Sequence, residues 1–263
     1  MSKYIWFFHS NYFFNTRNQR FNFSILMINI NCDLGEGLNN EHIIMPLINS
    51  CNIACGGHAG NNESMIECVE IAIRNNLQIG AHPSYPDTLN FGRKKIDISS
   101  SEFSFSIINQ IKSLEQIVSS YGKKINHIKA HGALYNEMIH DLDIADFYLD
   151  TIKDYKEKYS LYVPYQSEIE ILALKRGFKI IYEVFADRNY NDDLSLVSRD
   201  KELALINKPK EVIKHITSII QSNIVKTASG NTYKIKFDTL CVHSDTNNSI
   251  KILKEINKVF KNR

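Results

Sequence analysis

The stretch Ile28-Asn-Ile-Asn-Cys-Asp-Leu-Gly-Glu-Gly37 decides the fold, because it joins a short β-prone run to a polar turn that contains glycine. Its first half, Ile28–Cys32, is predicted as a strand, and Asp33 and Glu36 follow at the carboxyl end of that strand. The same order recurs along the chain, with longer segments of helical periodicity between the recurrences. This alternation is typical of βα units arranged around a parallel sheet.

The strands and helices can be placed by their periodicity and by their capping residues. The predicted strands are Ile28–Cys32, Asn52–Cys55, Gln78–Ala81, His127–Ala130, Leu161–Val163, Ile180–Phe185 and Thr239–His243. The predicted helices are Asn62–Asn75, Ser99–Tyr121, Leu142–Lys158, Glu168–Lys175, Pro209–Ser222 and Asn248–Val259. We therefore predict an α/β fold, a TIM-like β/α barrel that is seven-stranded or distorted, with an inserted β-hairpin around Ser229-Gly-Asn231. An eighth strand near Val225 or Ile235 stays open.

Composition limits the function classes. The chain has 263 residues, of which 43% are hydrophobic and 23% charged, which is ordinary for a globular protein with a sizeable core. Its formal net charge of +2 gives no electrostatic reason to expect nucleic acid or a membrane surface as a partner. The five cysteines are odd in number and scattered, so we expect a cytoplasmic, reducing location.

The domain boundaries follow from a change in composition. Residues 1–26 are rich in aromatic side chains and contain no acid, so we expect a disordered N-terminal extension that contributes nothing to the chemistry. Residues 27–263 show no linker and no further shift of composition. We therefore expect one barrel domain over 27–263.

Titratable residues cluster just after the predicted strands. In chain order they are Asp33, Glu36, His58, His82, His131, Asp187, Arg188, His243 and Asp245. In a β/α barrel the carboxyl ends of all strands open onto one face, so residues far apart in sequence meet there. The placement predicts an active site at that face.

Six segments together resemble one known family in order and spacing. They are Asn31-Cys-Asp-Leu-Gly-Glu-Gly37, Asn52-Ile-Ala-Cys-Gly-Gly-His-Ala-Gly60, Gly80-Ala-His-Pro-Ser-Tyr-Pro-Asp87 with Phe91-Gly-Arg93, His131-Gly-Ala-Leu-Tyr-Asn136, Glu183-Val-Phe-Ala-Asp-Arg-Asn-Tyr190, and Cys241-Val-His243 with Asp245. The family is LamB/YcsF. The resemblance implies a β/α barrel and, for the family's 5-oxoprolinase members, hydrolysis of 5-oxo-L-proline to L-glutamate. That reaction would use ATP as co-substrate and the PxpB and PxpC subunits as partners.

Lactam hydrolysis needs an activated water, stabilisation of an oxyanion and a proton for the leaving nitrogen. We assign catalytic roles to Asp33, Glu36, His58, His131 and Glu183. We assign substrate binding to His82, Arg93, Asp187, Arg188, His243 and Asp245. A divalent metal on Asp33, His58 and His131 is a further hypothesis, since one carboxylate with two imidazoles suits Zn²⁺, and a metal-free acid–base network stays open.

Several pairings are expected from sequence spacing. Arg93 offers a planar fork for the substrate carboxylate or a phosphate, with a salt bridge to Asp87 as the alternative. Glu183 is expected to point into the barrel, where it shares one face of its strand with Phe185. His243 and Asp245, two residues apart, are expected to form an oriented pair.

Two other functions stay open at this level. One is a stand-alone metal-dependent amidohydrolase or deacetylase. The other is a non-catalytic scaffold subunit, because Leu194 and Ser244 stand where the family usually has glycine. Further departures are Asn61 for a usual Asp, Ala130 for a usual Pro and Ser198 where Pro is frequent.

Overall fold

Seven parallel strands close into a barrel in the computed structural model, which describes residues 28–260. The described residues contain nine strands, of which β7 and β8 lie outside the barrel. They are β1 Asn29–Leu34, β2 Ser50–Ala54, β3 Gln78–His82, β4 His127–Ile128, β5 Ser160–Val163, β6 Ile180–Phe185, β7 Ile224–Lys226, β8 Thr232–Lys234 and β9 Thr239–Cys241. The barrel order is β1-β2-β3-β4-β5-β6-β9, and β9 pairs with both β6 and β1. The predicted seven-stranded barrel is confirmed. The extension expected over residues 1–26 lies outside the described residues.

The question of an eighth barrel strand is resolved by the pairing of β7. This strand pairs antiparallel with β8, with Val225 opposite Tyr233, and the two form a separate sheet. The predicted hairpin is therefore confirmed. Because it lies between β6 and β9 in sequence but outside the barrel, β6 and β9 become direct neighbours, with Glu183 in register with Thr239.

Helices follow the strands along the described chain. They are α1 Glu41–Ile44, α2 Asn62–Arg74, α3 Ser100–Ser120, α4 Gly132–Glu137, α5 Leu142–Thr151, α6 Glu168–Lys175, α7 Pro209–Ser222 and α8 Ser249–Phe260. A capping box of Ser99 and Glu102 begins α3. The helix predicted over 142–158 is shorter, since α5 ends at Thr151 and a 3₁₀ turn follows over Lys153–Tyr155. The short helices α1 and α4 were not predicted, because four and six residues carry too little periodicity.

The barrel interior is polar. Asn52 Nδ2 donates to Asn31 Oδ1 at 2.8 Å, and His127 Nε2 donates to Asn52 Oδ1 at 2.6 Å. The His127 ring stacks on Tyr162 with 4.0 Å between ring centroids. A Cβ at residue 80 would lie 2.1 Å from His127 Nε2, so Gly80 leaves the space that this ring fills. Alternation along the strands thus turns hydrogen-bonding side chains inward and apolar side chains such as Ile30 and Ile53 toward the helices.

The apolar core lies between the sheet and the helices. Within the described residues, no helix is both long and apolar enough to cross a membrane. All five cysteines are buried and unpaired.

Candidate active site

A cavity of about 640 Å³ opens beyond the carboxyl ends of the barrel strands. Of the residues predicted for the site, eight line it: Asp33, Glu36, His82, Arg93, His131, Arg188, His243 and Asp245. The other three, His58, Glu183 and Asp187, lie behind that lining and contact it. We call the buried part around Asp33, Glu36 and His82 the floor, and the partly exposed part around Arg93 and Asp245 the mouth.

A buried lysine occupies the centre of the floor. Lys129 Nζ lies 2.8 Å from Asp33 Oδ1 and 2.8 Å from Glu183 Oε1. The contact to Glu183 is an ion pair without hydrogen-bond geometry. Nζ also lies 3.3 Å from Cys241 Sγ. The expectation that Glu183 points into the barrel agrees with its burial and with this contact.

The pKa values of this group follow from burial opposed by charge. Burial alone would raise the pKa of Asp33, but His82, Lys129 and His243 hold it well below its usual value. Burial would lower the pKa of Lys129, and the carboxylates of Asp33 and Glu183 together with Cys241 raise it well above its usual value instead. Asp33 and Lys129 therefore form a buried, ionised pair.

Sequence reasoning missed Lys129. It follows β4 directly. His127, Lys129 and His131 occupy every second position, so their side chains share one face, toward the barrel interior or the cavity. That alternation was the available signal. Lysine is nearly always at the surface, so the residue type predicted an exposed side chain instead.

Three histidines and one carboxylate converge on one side of the floor. Nitrogen or oxygen atoms of Glu36, His58, His82 and His131 lie within 4.8 Å of one another. Glu36 Oε1 is 3.0 Å from His58 Nε2, 3.5 Å from His131 Nδ1 and 4.0 Å from His82 Nε2. His131 Nδ1 is 3.0 Å from His82 Nε2.

The other nitrogen of each ring is held by a surrounding group. His82 Nδ1 donates to the carbonyl of Lys129 at 2.8 Å, and His131 Nε2 donates to the carbonyl of Phe91 at 2.9 Å. His58 Nδ1 lies 3.0 Å from Ser84 Oγ, and that hydroxyl itself donates to the Tyr85 carbonyl. Burial lowers the pKa of His58, and burial with the neighbouring His58 and His82 lowers that of His131 well below its usual value.

This group differs from the expected metal set of Asp33, His58 and His131. Asp33 is not a member of it: its Oδ1 accepts from Lys129 and from Asn52 Nδ2, and its Oδ2 lies 3.4 Å from His82 Nε2. Glu36 takes its place as the carboxylate, and His82, expected to bind substrate, joins the histidines.

An oriented His–carboxylate pair is present, with a different partner from the one expected. His243 Nδ1 lies 3.0 Å from Asp187 Oδ1, and the backbone N–H of His243 also donates to Asp187 at 3.0 Å. Burial would raise the pKa of Asp187, but His243 and the hydroxyl of Thr246 lower it to about 2. Pairing with Asp245 is wrong, because β6 and β9 are neighbours in the barrel and bring Asp187 beside His243.

The mouth is built around Asp245. Its Oδ2 accepts from Arg93 Nη2 at 2.6 Å and from Arg199 Nη1 at 3.0 Å, so two guanidinium groups share one carboxylate. The alternative pairing of Arg93 with Asp87 is therefore wrong, and Asp87 instead accepts from Asn90. Arg199 was not predicted, since it lies in a loop whose path no local pattern reveals.

Arg188 has a different setting from Arg93. It is buried, and its guanidinium donates to the carbonyls of Val197 and Ala204. It lines the cavity while fixing the loop after β6. Burial and the nearby Arg199 lower the pKa of Arg188 to about 10.

Gly92 and Gly132 allow the segments around the histidines to touch. Gly92 has φ +61°, and a Cβ there would lie 2.9 Å from His58 Cβ and 3.0 Å from His131 Cδ2. Gly132 has φ +59°, and its Cβ would lie 2.4 Å from the carbonyl oxygen of Gly92. Both positions therefore require glycine for two reasons, backbone conformation and space.

The departures from the family pattern have unequal structural cost. Leu194 adopts φ 66°, in the left-handed region that favours glycine, whereas Ser244 does not have a positive φ. Asn61 begins α2 through a capping box with Ser64, which an Asp would form equally well. Nothing in the structure explains the change at Ala130. Ser198 lines the cavity near Arg199.

Comparison with known proteins gives consistent matches. The model of the LamB/YcsF family matches residues 28–263. A protein of Bacillus mycoides, named as a subunit of 5-oxoprolinase, is 36% identical over 240 residues, which covers 89% of this chain and 94% of that one. A protein of the same name from Bacillus thuringiensis subsp. konkukian is 36% identical over 239 residues, with the same coverage.

Among solved structures, the lactam utilization protein of Thermus thermophilus superposes with a TM-score of 0.81 at 27% identity. The match covers 88% of this chain and 96% of that one. The barrel, the residues around its cavity and these matches agree, and the chain belongs to the LamB/YcsF family.

Proposed function

We propose that this chain is the subunit of a 5-oxoprolinase that opens the ring of 5-oxo-L-proline by hydrolysis to give L-glutamate, with ATP as co-substrate and PxpB and PxpC as partner subunits. The names of its relatives support a place in that enzyme. The cavity supports the chemistry, because it combines an arginine-rich mouth with a floor of buried acid–base residues.

The observation that carries the proposal is this division of charge. At the mouth, Arg93 and Arg199 share the single carboxylate of Asp245, which leaves one positive charge for an anion. The substrate has a carboxylate on one side of a small ring and a lactam on the other. A guanidinium fork binds carboxylates in a bidentate manner, so the mouth would orient the lactam toward the floor.

The floor offers groups for each step of hydrolysis. Asp33 is ionised and faces the cavity, where it can accept a hydrogen bond from the attacking water. Asp187 holds Nδ1 of His243, and the opposite nitrogen Nε2 lies 4.0 Å from Asp33 Oδ2. Water adds to the lactam carbon while His243 Nε2 takes one of its protons, the C–N bond then breaks, and His243 returns that proton to the leaving nitrogen.

Coupling to ATP has a chemical reason. A lactam is stabilised by resonance and its nitrogen is a poor leaving group, whereas transfer of the ATP γ-phosphoryl group to the amide oxygen, with release of ADP, creates a stronger electrophile. Ring opening by one water then leaves an acyl phosphate, which a second water hydrolyses to glutamate and inorganic phosphate. The same arginines at the mouth suit the charge of such a phosphoryl group.

Reconstitution tests the proposal. The chain would be combined with PxpB and PxpC, and glutamate formed from 5-oxo-L-proline would be measured with and without ATP. We expect ATP-dependent glutamate in the wild-type complex and a large loss with Asp33→Asn, with Lys258→Met as an exposed control on α8. A folded three-component complex without ATP-dependent glutamate would contradict the proposal.

A second candidate function is hydrolysis of an amide by this chain alone, with a divalent ion and without ATP. The convergence of Glu36, His82 and His131 favours it, since this ligand set occurs at hydrolytic metal sites. Glutamate formation by the isolated chain without ATP would select this candidate over the first.

A further inference from the structure

The two rings of His82 and His131 place lone pairs against each other. A backbone carbonyl only accepts hydrogen bonds, so His82 carries its proton on Nδ1, which donates to Lys129 O, and His131 carries its proton on Nε2, which donates to Phe91 O. In their neutral forms His82 Nε2 and His131 Nδ1 are therefore both bare. They face each other at 3.0 Å, an arrangement that requires a cation between or beside them.

Glu36 supplies a third donor atom on the same side. Its Oε1 lies 3.5 Å from His131 Nδ1 and 4.0 Å from His82 Nε2. Ligand atoms about 2.1 Å from a tetrahedral ion are about 3.4 Å apart. The three separations bracket that value without movement of the backbone.

The ring planes decide which histidines can share an ion. The rings of His82 and His131 are nearly perpendicular at 87°, so an ion can lie in both planes at once. The rings of His58 and His131 are stacked, with centroids 3.5 Å apart and planes 4° from parallel. An ion in the plane of His131 lies outside the plane of His58, so His58 is not assigned as a ligand; its Nε2 lies 3.0 Å from Glu36 Oε1.

We propose that Glu36, His82 and His131 bind one divalent transition-metal ion of the Zn²⁺ class, with a fourth position open toward the cavity and His58 as a positioning residue for Glu36. All three ligands line the cavity. Two imidazoles and one carboxylate suit Zn²⁺ better than Mg²⁺ or Ca²⁺, which prefer oxygen. The carbonyls that hold the far nitrogens are the outer contacts that metal-bound histidines need.

The neighbouring group of Asp33, Cys241 and His243 is a weaker candidate. Lys129 Nζ already lies 2.8 Å from Asp33 Oδ1 and 3.3 Å from Cys241 Sγ, so this group has its cation. No lysine or arginine forms an ion pair with Glu36 among the described residues. A proton shared between His82 Nε2 and His131 Nδ1, which lie 3.0 Å apart, is the rival occupant.

Only the role of the ion rests on the proposed hydrolytic function, in which it would polarise the lactam oxygen or activate water. Its binding is measured on the isolated full chain, without ATP or partner subunits. Failure of the isolated chain to bind metal would not contradict ATP-dependent ring opening, and an inactive complex would not contradict metal binding.

The experiment begins with elemental analysis of full-length protein purified without chelator, followed by chelation and titration with Zn²⁺ or Co²⁺. We expect about one ion per chain and the visible absorption of four-coordinate Co²⁺. His82→Ala and Glu36→Gln should lose this binding, and His58→Gln should keep it with about 10- to 100-fold lower affinity. His140→Ala is the control, since His140 is 56% exposed and pairs with Asp193.

Wild-type protein alone can overturn the proposal, whatever the variants do to folding. A folded chain that retains no ion and gives no Co²⁺ absorption would establish the shared proton instead. X-ray absorption of Zn²⁺-loaded wild type should show only nitrogen and oxygen ligands. A sulfur ligand would move the site to Cys241, and binding that survives His82→Ala would remove His82 from it.

Discussion

Replacement of Lys129 by methionine should destabilise the fold strongly. Its ammonium lies 2.8 Å from Asp33 and 2.8 Å from Glu183, and all three side chains are at most 5% exposed. Each contact carries an attraction of about 6 kcal/mol at an effective dielectric constant of about 20, most of which offsets the desolvation of the three charges. Loss of one partner of a buried pair typically costs about 3–5 kcal/mol, because a charge is left uncompensated.

Urea unfolding would measure this effect. We expect Lys129→Met to lower the free energy of unfolding by about 3–5 kcal/mol, and addition of Glu183→Gln to the same chain to restore part of the loss. Lys258→Met is the matched control, because Lys258 is 74% exposed and lies 3.8 Å from Glu255, so its change should stay within about 0.5 kcal/mol.

The double variant makes the test sharp. If Lys129→Met with Glu183→Gln is no more stable than Lys129→Met alone, Glu183 does not depend on the lysine charge. If Lys129→Met lowers the free energy of unfolding no more than Lys258→Met does, the ionised pair of Asp33 and Lys129 is refuted.

Three further predictions concern the mouth, a strained turn and the His243 pair. Arg93→Ala should raise KM for 5-oxo-L-proline about 10- to 100-fold in the reconstituted enzyme with a smaller change in kcat, because a charged hydrogen bond is worth about 1.5–3 kcal/mol, and unchanged KM would remove Arg93 from substrate binding. Leu194 has φ 66°, so Leu194→Gly should be about 1 kcal/mol more stable than Leu194→Ala in urea unfolding, and equal stabilities would argue against strain there. The pKa of Asp187 lies near 2, below its ordinary value, so its stabilisation is present above about pH 4 and is lost as the pH falls toward 2. The stability advantage of wild type over Asp187→Asn should therefore be about 1 kcal/mol smaller at about pH 3 than at about pH 6, and a constant difference would contradict the lowered pKa.

The fold was largely predictable because its signals are local. The bounds of β6, α6 and α7 agree with prediction, since each combines a clear hydrophobic period with a strand, cap or proline signal at its start. The strand-end residues that line the cavity could be predicted for the same reason. A polar residue directly after a buried strand has little choice but to face the open end of the barrel.

The partners of those residues were less predictable, because they depend on which strands are neighbours. His243 pairs with Asp187 instead of the nearer Asp245, and this follows only once β6 is known to lie beside β9. The carboxylate of the histidine group is Glu36, whereas Asp33 Oδ1 contacts Lys129, and local sequence patterns likewise did not reveal this division. Contacts between segments distant in sequence decided both cases.

The same reasoning bears on the scaffold alternative. A subunit that had lost its chemistry would have no reason to keep an ionised Asp33 and Lys129 pair in its interior, since apolar residues of similar volume there are often neutral or more stable. The departure with a backbone cost is Leu194, and it lies in the loop after β6, outside the floor. Ser244 lies beside Asp245 without positive φ, and Asp245 still accepts from Arg93 and Arg199. The buried charged pair is kept, and neither Leu194 nor Ser244 alters a contact of the floor, which favours a catalytic subunit over a scaffold.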